Sequence, residues 1–247
     1  MKGEHLKECK NRQFTFALTL IQDWLTKSCL LLNAKKTVCM VFTKQTRDIA
    51  HSGVFFNDLE LEIVKEFKYL GVTLDSTLTF KSHIKKMSNS VKYNLRNFRH
   101  IRDKLTDEAA KLFMHSMLFS HIEYCLTSWS LAGKTLIDKI ESLYKQALKV
   151  FDKKPRSFHH CAILEKHGML NLENLIHFKN VCVIYKVLHG TAPPPLATYI
   201  RRLQTDRTTR ASVRGDCEIP LRQTVIGASV LSIKGGKYWN DLLMEIK

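Results

Sequence analysis

The period of the apolar residues changes twice along this sequence, near residues 33 and 79, and the second change constrains the fold more than any other feature. Between Val38 and Asp75 apolar side chains come in short runs or alternate with polar ones, which is strand spacing. Val38-Cys39-Met40-Val41-Phe42 predicts a buried strand. Val54-Phe55-Phe56, the turn residues Asn57-Asp58 and Leu59-Glu60-Leu61-Glu62-Ile63 predict a hairpin whose second arm has one wet face. Phe67 through Asp75 predicts a further strand. From Phe80 onward the steps become three and four, through Ile84, Met87, Val91, Leu95, Phe98, Ile101 and Leu105, which is helical. Thr106-Asp107-Glu108 offers a hydroxyl and two acids to the orphan N–H groups of a second helix. Gly133 precedes a third, and a fourth runs from about Leu172 to Leu188, closed by Gly190 and Pro193-Pro194-Pro195. One more helix is predicted upstream, from Phe14 to about Leu32. The fold class is therefore α+β, a small antiparallel β unit followed by a mostly α-helical bundle. Expected domains are residues 1–78, 79–195 and a basic tail, 196–247, with a short apolar anchor from Tyr238 to Leu243.

Charge narrows the partners. The 39 Lys and Arg outnumber 23 Asp and Glu, a net +16, which favours anionic partners without specifying a fold. Between Ser76 and Arg102 lie seven basic residues and no acid. At roughly 100° per residue, Lys81, Lys85, Lys92, Arg96 and Arg99 fall within a sector of about 60°, beside the apolar sector. A solvated helix face normally mixes signs, because like charges at i,i+4 repel by about a few tenths of a kcal/mol. An unbroken ladder of cations is easier to rationalise when phosphates neutralise it. Arg201, Arg202, Arg207, Arg210, Arg214 and Arg222 form a second basic cluster, in a segment of little periodicity.

The other chemistry-bearing residues point away from most enzyme classes. Seven cysteines are scattered with no Cys-x-x-Cys, so neither a disulfide partner nor a zinc ribbon is expected, and buried thiols are the simplest reading. His159-His160-Cys161 with His167 lacks regular ligand spacing; a loop between helices, and no metal site, is expected there. His115 and His121 near Ser116 and Ser120 have no triad logic beyond proximity, and there is no Gly-rich phosphate loop. No run of about 18 apolar residues exists to span a membrane, and the first residues lack the apolar core of a secretory signal; an intracellular protein is expected.

The order of motifs resembles the reverse transcriptases of non-LTR retrotransposons, of the jockey and LINE kind. The resemblance runs over roughly residues 15–243 and matches the end of the palm, the thumb and the region beyond. A helix with Trp24 leads through Asn33-Ala34-Lys35-Lys36-Thr37 into a strand, followed by Phe67-Lys68-Tyr69-Leu70-Gly71-Val72-Thr73-Leu74-Asp75 and the basic helix. Further echoes are Ile122-Glu123-Tyr124 before Trp129, Gln146-Ala147-Leu148, Tyr185-Lys186-Val187-Leu188-His189-Gly190 before the prolines, and Tyr238-Trp239-Asn240. A stretch of about 67–115 also resembles a segment found beside AlkB-type tRNA-modifying dioxygenases. That enzyme's His-x-Asp and distal His have no recognisable context here, so no oxygenase activity is implied.

The polymerase resemblance implies roles. Lys36 looks like a leftover nucleotide-site lysine, placed to neutralise or protonate departing pyrophosphate. Tyr69, Leu70 and Gly71 look like the hairpin that grips the primer end. Lys81, Lys85, Lys92, Arg96 and Arg99 would lie along the RNA/DNA template–primer backbone. Catalysis in the family needs Mg²⁺ held by paired carboxylates, from an upstream strand and a Tyr-x-Asp-Asp hairpin. This sequence has no two adjacent aspartates; Asp58, Glu60, Glu62, Glu66 and Asp75 are scattered and expected to face solvent. The resemblance thus implies a copy truncated before the catalytic motifs, with no cofactor or catalytic residue of its own, retaining sequence-independent nucleic-acid binding. The competing reading is a helical protein-interaction module, with no nucleic-acid role, whose basic face docks an acidic protein. An active polymerase working with a separate palm is a third.

Overall fold

The computed structural model describes residues 16–33, 36–43, 54–56, 59–204, 208–221, 227 and 230–242. The chain divides into two compact units, residues 1–78 and 79–247, and it is α+β as its periodicity predicts.

In the first unit, helix α1 (residues 16–27) ends with Cys29 in the left-handed region, φ 53°. Leu30 N–H donates to Leu25 O at 2.9 Å and Cys29 N–H to Thr26 O at 3.2 Å, the paired bonds that close a helix in a Schellman turn. Strands β1 (Val38–Cys39), β2 (Val54–Phe56) and β3 (Leu59–Ile63) form a sheet in the order β1-β3-β2. Phe56 pairs with Leu59, so β2 and β3 are the antiparallel hairpin foreseen; the Asn57-Asp58 turn lies outside the described residues. The expectation of an antiparallel unit is corrected at β1, which runs parallel to β3, Val38 opposite Glu62. The chain between them is long enough for the crossover that parallel pairing demands. Leu61 and Phe56 are buried, whereas Glu60 and Glu62 are exposed, as the alternation requires.

A second correction concerns Phe67–Asp75, which is not one strand. It folds into a hairpin of β4 (Glu66–Tyr69) and β5 (Val72–Asp75), with Tyr69 opposite Val72. Leu70 and Gly71 have φ of 43° and 85°, the double left-handed turn whose twist suits a tight hairpin. Asp75 is half-buried rather than solvent-facing, and its carboxylate accepts both the Thr77 N–H at 3.2 Å and the Thr77 hydroxyl at 2.6 Å.

The second unit opens with α2 (Lys81–Ile101), whose Ile84, Met87, Val91, Leu95 and Phe98 are buried. α3 (Asp107–Phe113) starts at Thr106, whose hydroxyl accepts the Ala109 N–H at 3.2 Å, as its capping sequence predicts. α3 then loosens into a π-helical stretch, Met114–Phe119, before α4 (Ser120–Glu123) and α5 (Leu126–Trp129). A π turn frees carbonyls from their usual partners. Here Asn94 of α2 donates to Met117 O at 2.8 Å. α6 (Lys134–Phe151) packs on α2 and buries Ile140, Leu143, Ala147, Leu148 and Phe151. Tyr144 stacks on Phe119 with ring centroids 4.4 Å apart, and its hydroxyl donates to Leu170 O at 2.8 Å. Burial, and then the charge of Glu123, push that phenol up to about 12.

α7 (His160–His167) occupies the stretch read as a loop, and α8 (Leu172–Leu188) follows with the predicted bounds. The region beyond Ile200, read as aperiodic, is organised against α8. α9 (Arg210–Val213) begins with a Thr209 capping box, and α10 (Leu231–Asn240) lies on α8. Trp239, 1% exposed, joins Ile184, Val187, Ile200 and Cys217 in one apolar cluster. Its indole N–H donates to Gly215 O at 3.0 Å, and Asn240 bonds both the N–H and the C=O of Cys217, at 2.7 and 3.1 Å. The reading of the cysteines as buried is corrected: of the six described, only Cys217 is. No described helix is long and apolar enough to cross a membrane.

Candidate nucleic-acid interface

α2 divides its circumference by chemistry. Its apolar stripe, closed by His83, faces the interior; burial, and then the Lys86 charge, hold the His83 imidazole below its usual range. Lys81, Lys85, Lys92, Arg96 and Arg99 are all exposed. Among the described residues none of these five is in an ion pair with a carboxylate. Arg99 Nη2 donates to Gln146 Oε1 at 3.1 Å, and the Gln146 amide reaches Ser142 Oγ at 3.4 Å, so α6 steadies one end of the ladder without neutralising it. Tyr93, also exposed, sits on the same helix beyond Arg96.

Arg102 ends the acid-free run but does not belong to its exposed face. Its side chain is 6% exposed: Nε donates to Phe151 O at 2.7 Å, Nη1 to Leu105 O at 3.2 Å and Nη2 to Asp107 Oδ1 at 2.5 Å. The guanidinium also lies over the Phe151 ring, 5.7 Å from its centroid. The hydrogen bond and charge of Arg102 hold the Asp107 carboxyl below its usual range. One cation of the run thus joins α2, α3 and α6, and the six others, the five of the ladder and Lys86, are exposed.

The remaining site residues lie in the first unit. Lys36 is exposed; its N–H donates to Asn33 O at 3.0 Å and approaches Asn33 Oδ1 at 3.2 Å, while Thr37 Oγ1 donates to Asn33 O at 2.9 Å. Asn33 thereby shapes the turn that presents Lys36 ahead of β1. Tyr69 and Leu70 project from the β4–β5 turn, 59% and 73% exposed. An apolar pair that open at a hairpin tip is not held there by packing.

The contacts of two polar residues went unread in the sequence: Gln146, at the Arg99 end of the ladder, and Asn94, on the opposite side of α2. Gln146 and Asn94 both sit among apolar helical positions, and only the packing of α2 against α6 and the π-helical stretch gives them their partners. For magnesium, a hard cation that takes oxygen ligands, the described residues offer no gathered carboxylates. Their one group of three metal-binding side chains is His159, His160 and Cys161.

A stretch of 136 residues, 53% of the chain, is 30% identical to the RNA-directed DNA polymerase from mobile element jockey of Drosophila funebris. The chain is similar to the RNA-directed DNA polymerases of mobile elements. The jockey polymerase of Drosophila melanogaster is 27% identical over 135 residues, and the probable RNA-directed DNA polymerase from transposon BS of the same species is 25% identical over 136. The chain spans only 14–15% of the length of these curated relatives. No family model and no solved structure matches it.

Proposed function

We propose that this chain is a nucleic-acid-gripping part of a mobile-element reverse transcriptase, which holds template–primer through its phosphates and performs no phosphoryl transfer itself. The observation that carries the reading is the ladder on α2: five exposed cations on one side of a helix whose other side is buried, with no carboxylate partner among the described residues. Backbone contacts of this kind fix register on a duplex and carry no sequence information. The similarity to jockey and BS polymerases supports the choice of nucleic acid over an acidic protein as partner.

The other roles follow the same reading. The Tyr69-Leu70-Gly71 turn grips the primer end, Gly71 letting backbone approach where a side chain would intrude. Lys36 is the nucleotide-site lysine. Paired carboxylates for two metal ions are absent from these residues, so the chemistry belongs to other residues than these.

Fluorescence anisotropy with a labelled RNA–DNA hybrid tests the proposal. Binding at low salt that weakens by a similar factor for unrelated sequences when Lys85, Lys92 and Arg96 are each changed to Glu is the expected result. Absence of binding at low salt, together with recovery of a protein partner from nuclease-treated extract, would favour the acidic-protein reading instead.

A further inference from the structure

His159, His160 and Cys161 are consecutive, and side chains of consecutive helical residues point about 100° apart. They converge here because α7 has only begun. His159 is the N-cap, with extended backbone at φ −78° and ψ 129°, and His160 and Cys161 are the first two helical residues. That change of backbone direction swings the first imidazole back over the second; the two rings are 4.8 Å apart, centroid to centroid. Cys161 Sγ lies 4.0 Å from His160 Nε2, and one donor atom from each of the three residues falls within 4.8 Å of the others.

Those spacings approach a coordination sphere. With zinc–nitrogen bonds near 2.0–2.1 Å and a zinc–sulfur bond near 2.3 Å, tetrahedral geometry puts donors roughly 3.3–3.6 Å apart. The Cys161–His160 pair is within a few tenths of an ångström of that range, and the remaining gap is within reach of side-chain rotation at a surface. Cys161 and His159 are exposed and His160 is partly so, so an ion can arrive from solvent and keep water as its fourth ligand.

We propose that His159, His160 and Cys161 form a surface site for a thiophilic transition-metal ion, Zn²⁺ above all. The surroundings argue for that class over hard cations. Lys145 and Lys149 of α6 act on His160 electrostatically, and Glu141, the nearby acid, is already held by Lys145 at 2.6 Å. Net positive surroundings repel a dication held by weak oxygen ligands. A thiolate with two imidazoles supplies one negative charge and the soft, borderline donors that zinc favours and magnesium or calcium does not. Bound metal would pin the start of α7 and the preceding turn, where the chain leaves Phe158. The site is independent of the nucleic-acid reading and involves none of its residues.

Cobalt(II) as a spectroscopic stand-in for zinc tests this on the reduced full chain. The expected result is a thiolate-to-cobalt charge-transfer band that saturates at one ion per chain and is displaced by Zn²⁺. The band should vanish in Cys161→Ser, and its midpoint should rise at least about tenfold in His159→Asn and in His160→Asn, since losing only an outer-shell partner already costs that much. All three substitutions are at the surface and should leave the far-ultraviolet circular dichroism unchanged. No band, a band that persists in Cys161→Ser, or a band indifferent to both histidine changes would overturn the proposal.

Discussion

Replacing Arg102 by Met separates what the acid-free run does for folding from what it does for binding. The substitution keeps length and apolar stem but removes three hydrogen bonds, to Phe151 O, Leu105 O and Asp107, and the contact over the Phe151 ring. Phe151 O is the costly loss, because it accepts from a buried donor. A buried acceptor left without its partner costs about 1–3 kcal/mol, and hydrogen bonds from charged donors are worth more than neutral ones. The Leu105 carbonyl adds a smaller share, and the exposed Asp107 is left out of the sum. Against this, Met spares the desolvation of a guanidinium, which limits the net. The expected loss is about 3 kcal/mol, and at about 2–4 °C per kcal/mol for a unit of this size the melting midpoint should fall by roughly 6–12 °C. Arg102→Lys should recover less than half, since one ammonium cannot serve three acceptors, on α3, on α6 and at Leu105 in the link between α2 and α3. Thermal melts by circular dichroism read the stability, and anisotropy with an RNA–DNA hybrid, well below the melting range, reads binding. Arg102→Met should bind within about twofold of the parent, whereas Lys92→Glu should melt normally and bind worse. A melting midpoint within about 2 °C of the parent for Arg102→Met, or a binding defect equal to that of Lys92→Glu, would refute the division.

Other consequences follow from single contacts. Burial pushes the Asp152 carboxyl up, but hydrogen bonds from Lys166 at 2.6 Å and His167 at 3.0 Å outweigh it and leave the group below its usual range. A depressed carboxyl stabilises above its unfolded pKa and loses that contribution as pH falls through the folded value. Asp152→Asn should therefore cost about 2–3 kcal/mol at pH 7, with the difference in melting midpoint shrinking below about pH 4. Trp239→Ala should remove about 3–5 kcal/mol by emptying the cluster between α8 and α10, read as an early unfolding step in urea. Gly71→Val places a β-branched residue at φ 85°; it should cost about 1–2 kcal/mol and speed amide exchange at Val72, while Gly71→Asn should be nearly silent.

What the sequence made legible was whatever is decided within a few residues. The α2 stripe, the Thr106 cap and the Leu172–Leu188 helix with its Gly190 stop are local, and each stands where periodicity and capping put it. The wheel of α2 even separated Arg102 from the ladder, since its angle coincides with that of buried Ile84. Its three acceptors were out of reach, because two lie on other helices. Pairing of β1 with β3 is set by non-local contacts, which alternation cannot order. Left-handed backbone at Cys29 and Cys125 carries no glycine to announce it, and at the β4–β5 turn a lone Gly71 beside Leu70, within a run of strand-forming residues, let Phe67–Asp75 read as one strand. The region after Ile200 has weak periodicity because its order comes from Trp239 and Asn240 reaching back to Gly215 and Cys217. At the candidate interface the five cations could be read off one helix, whereas Gln146 emerged only when α6 was laid beside α2.

The most direct test of the central claim is the salt dependence of binding to an RNA–DNA hybrid. Five phosphate contacts predict a slope of log K against log salt near −4.5, a loss of about 500-fold between 50 and 200 mM. With Lys85, Lys92 and Arg96 all changed to Glu the slope should flatten to about −2 or shallower. A parent slope near zero, or a slope unaltered by those changes, would contradict the assignment of the ladder to nucleic acid.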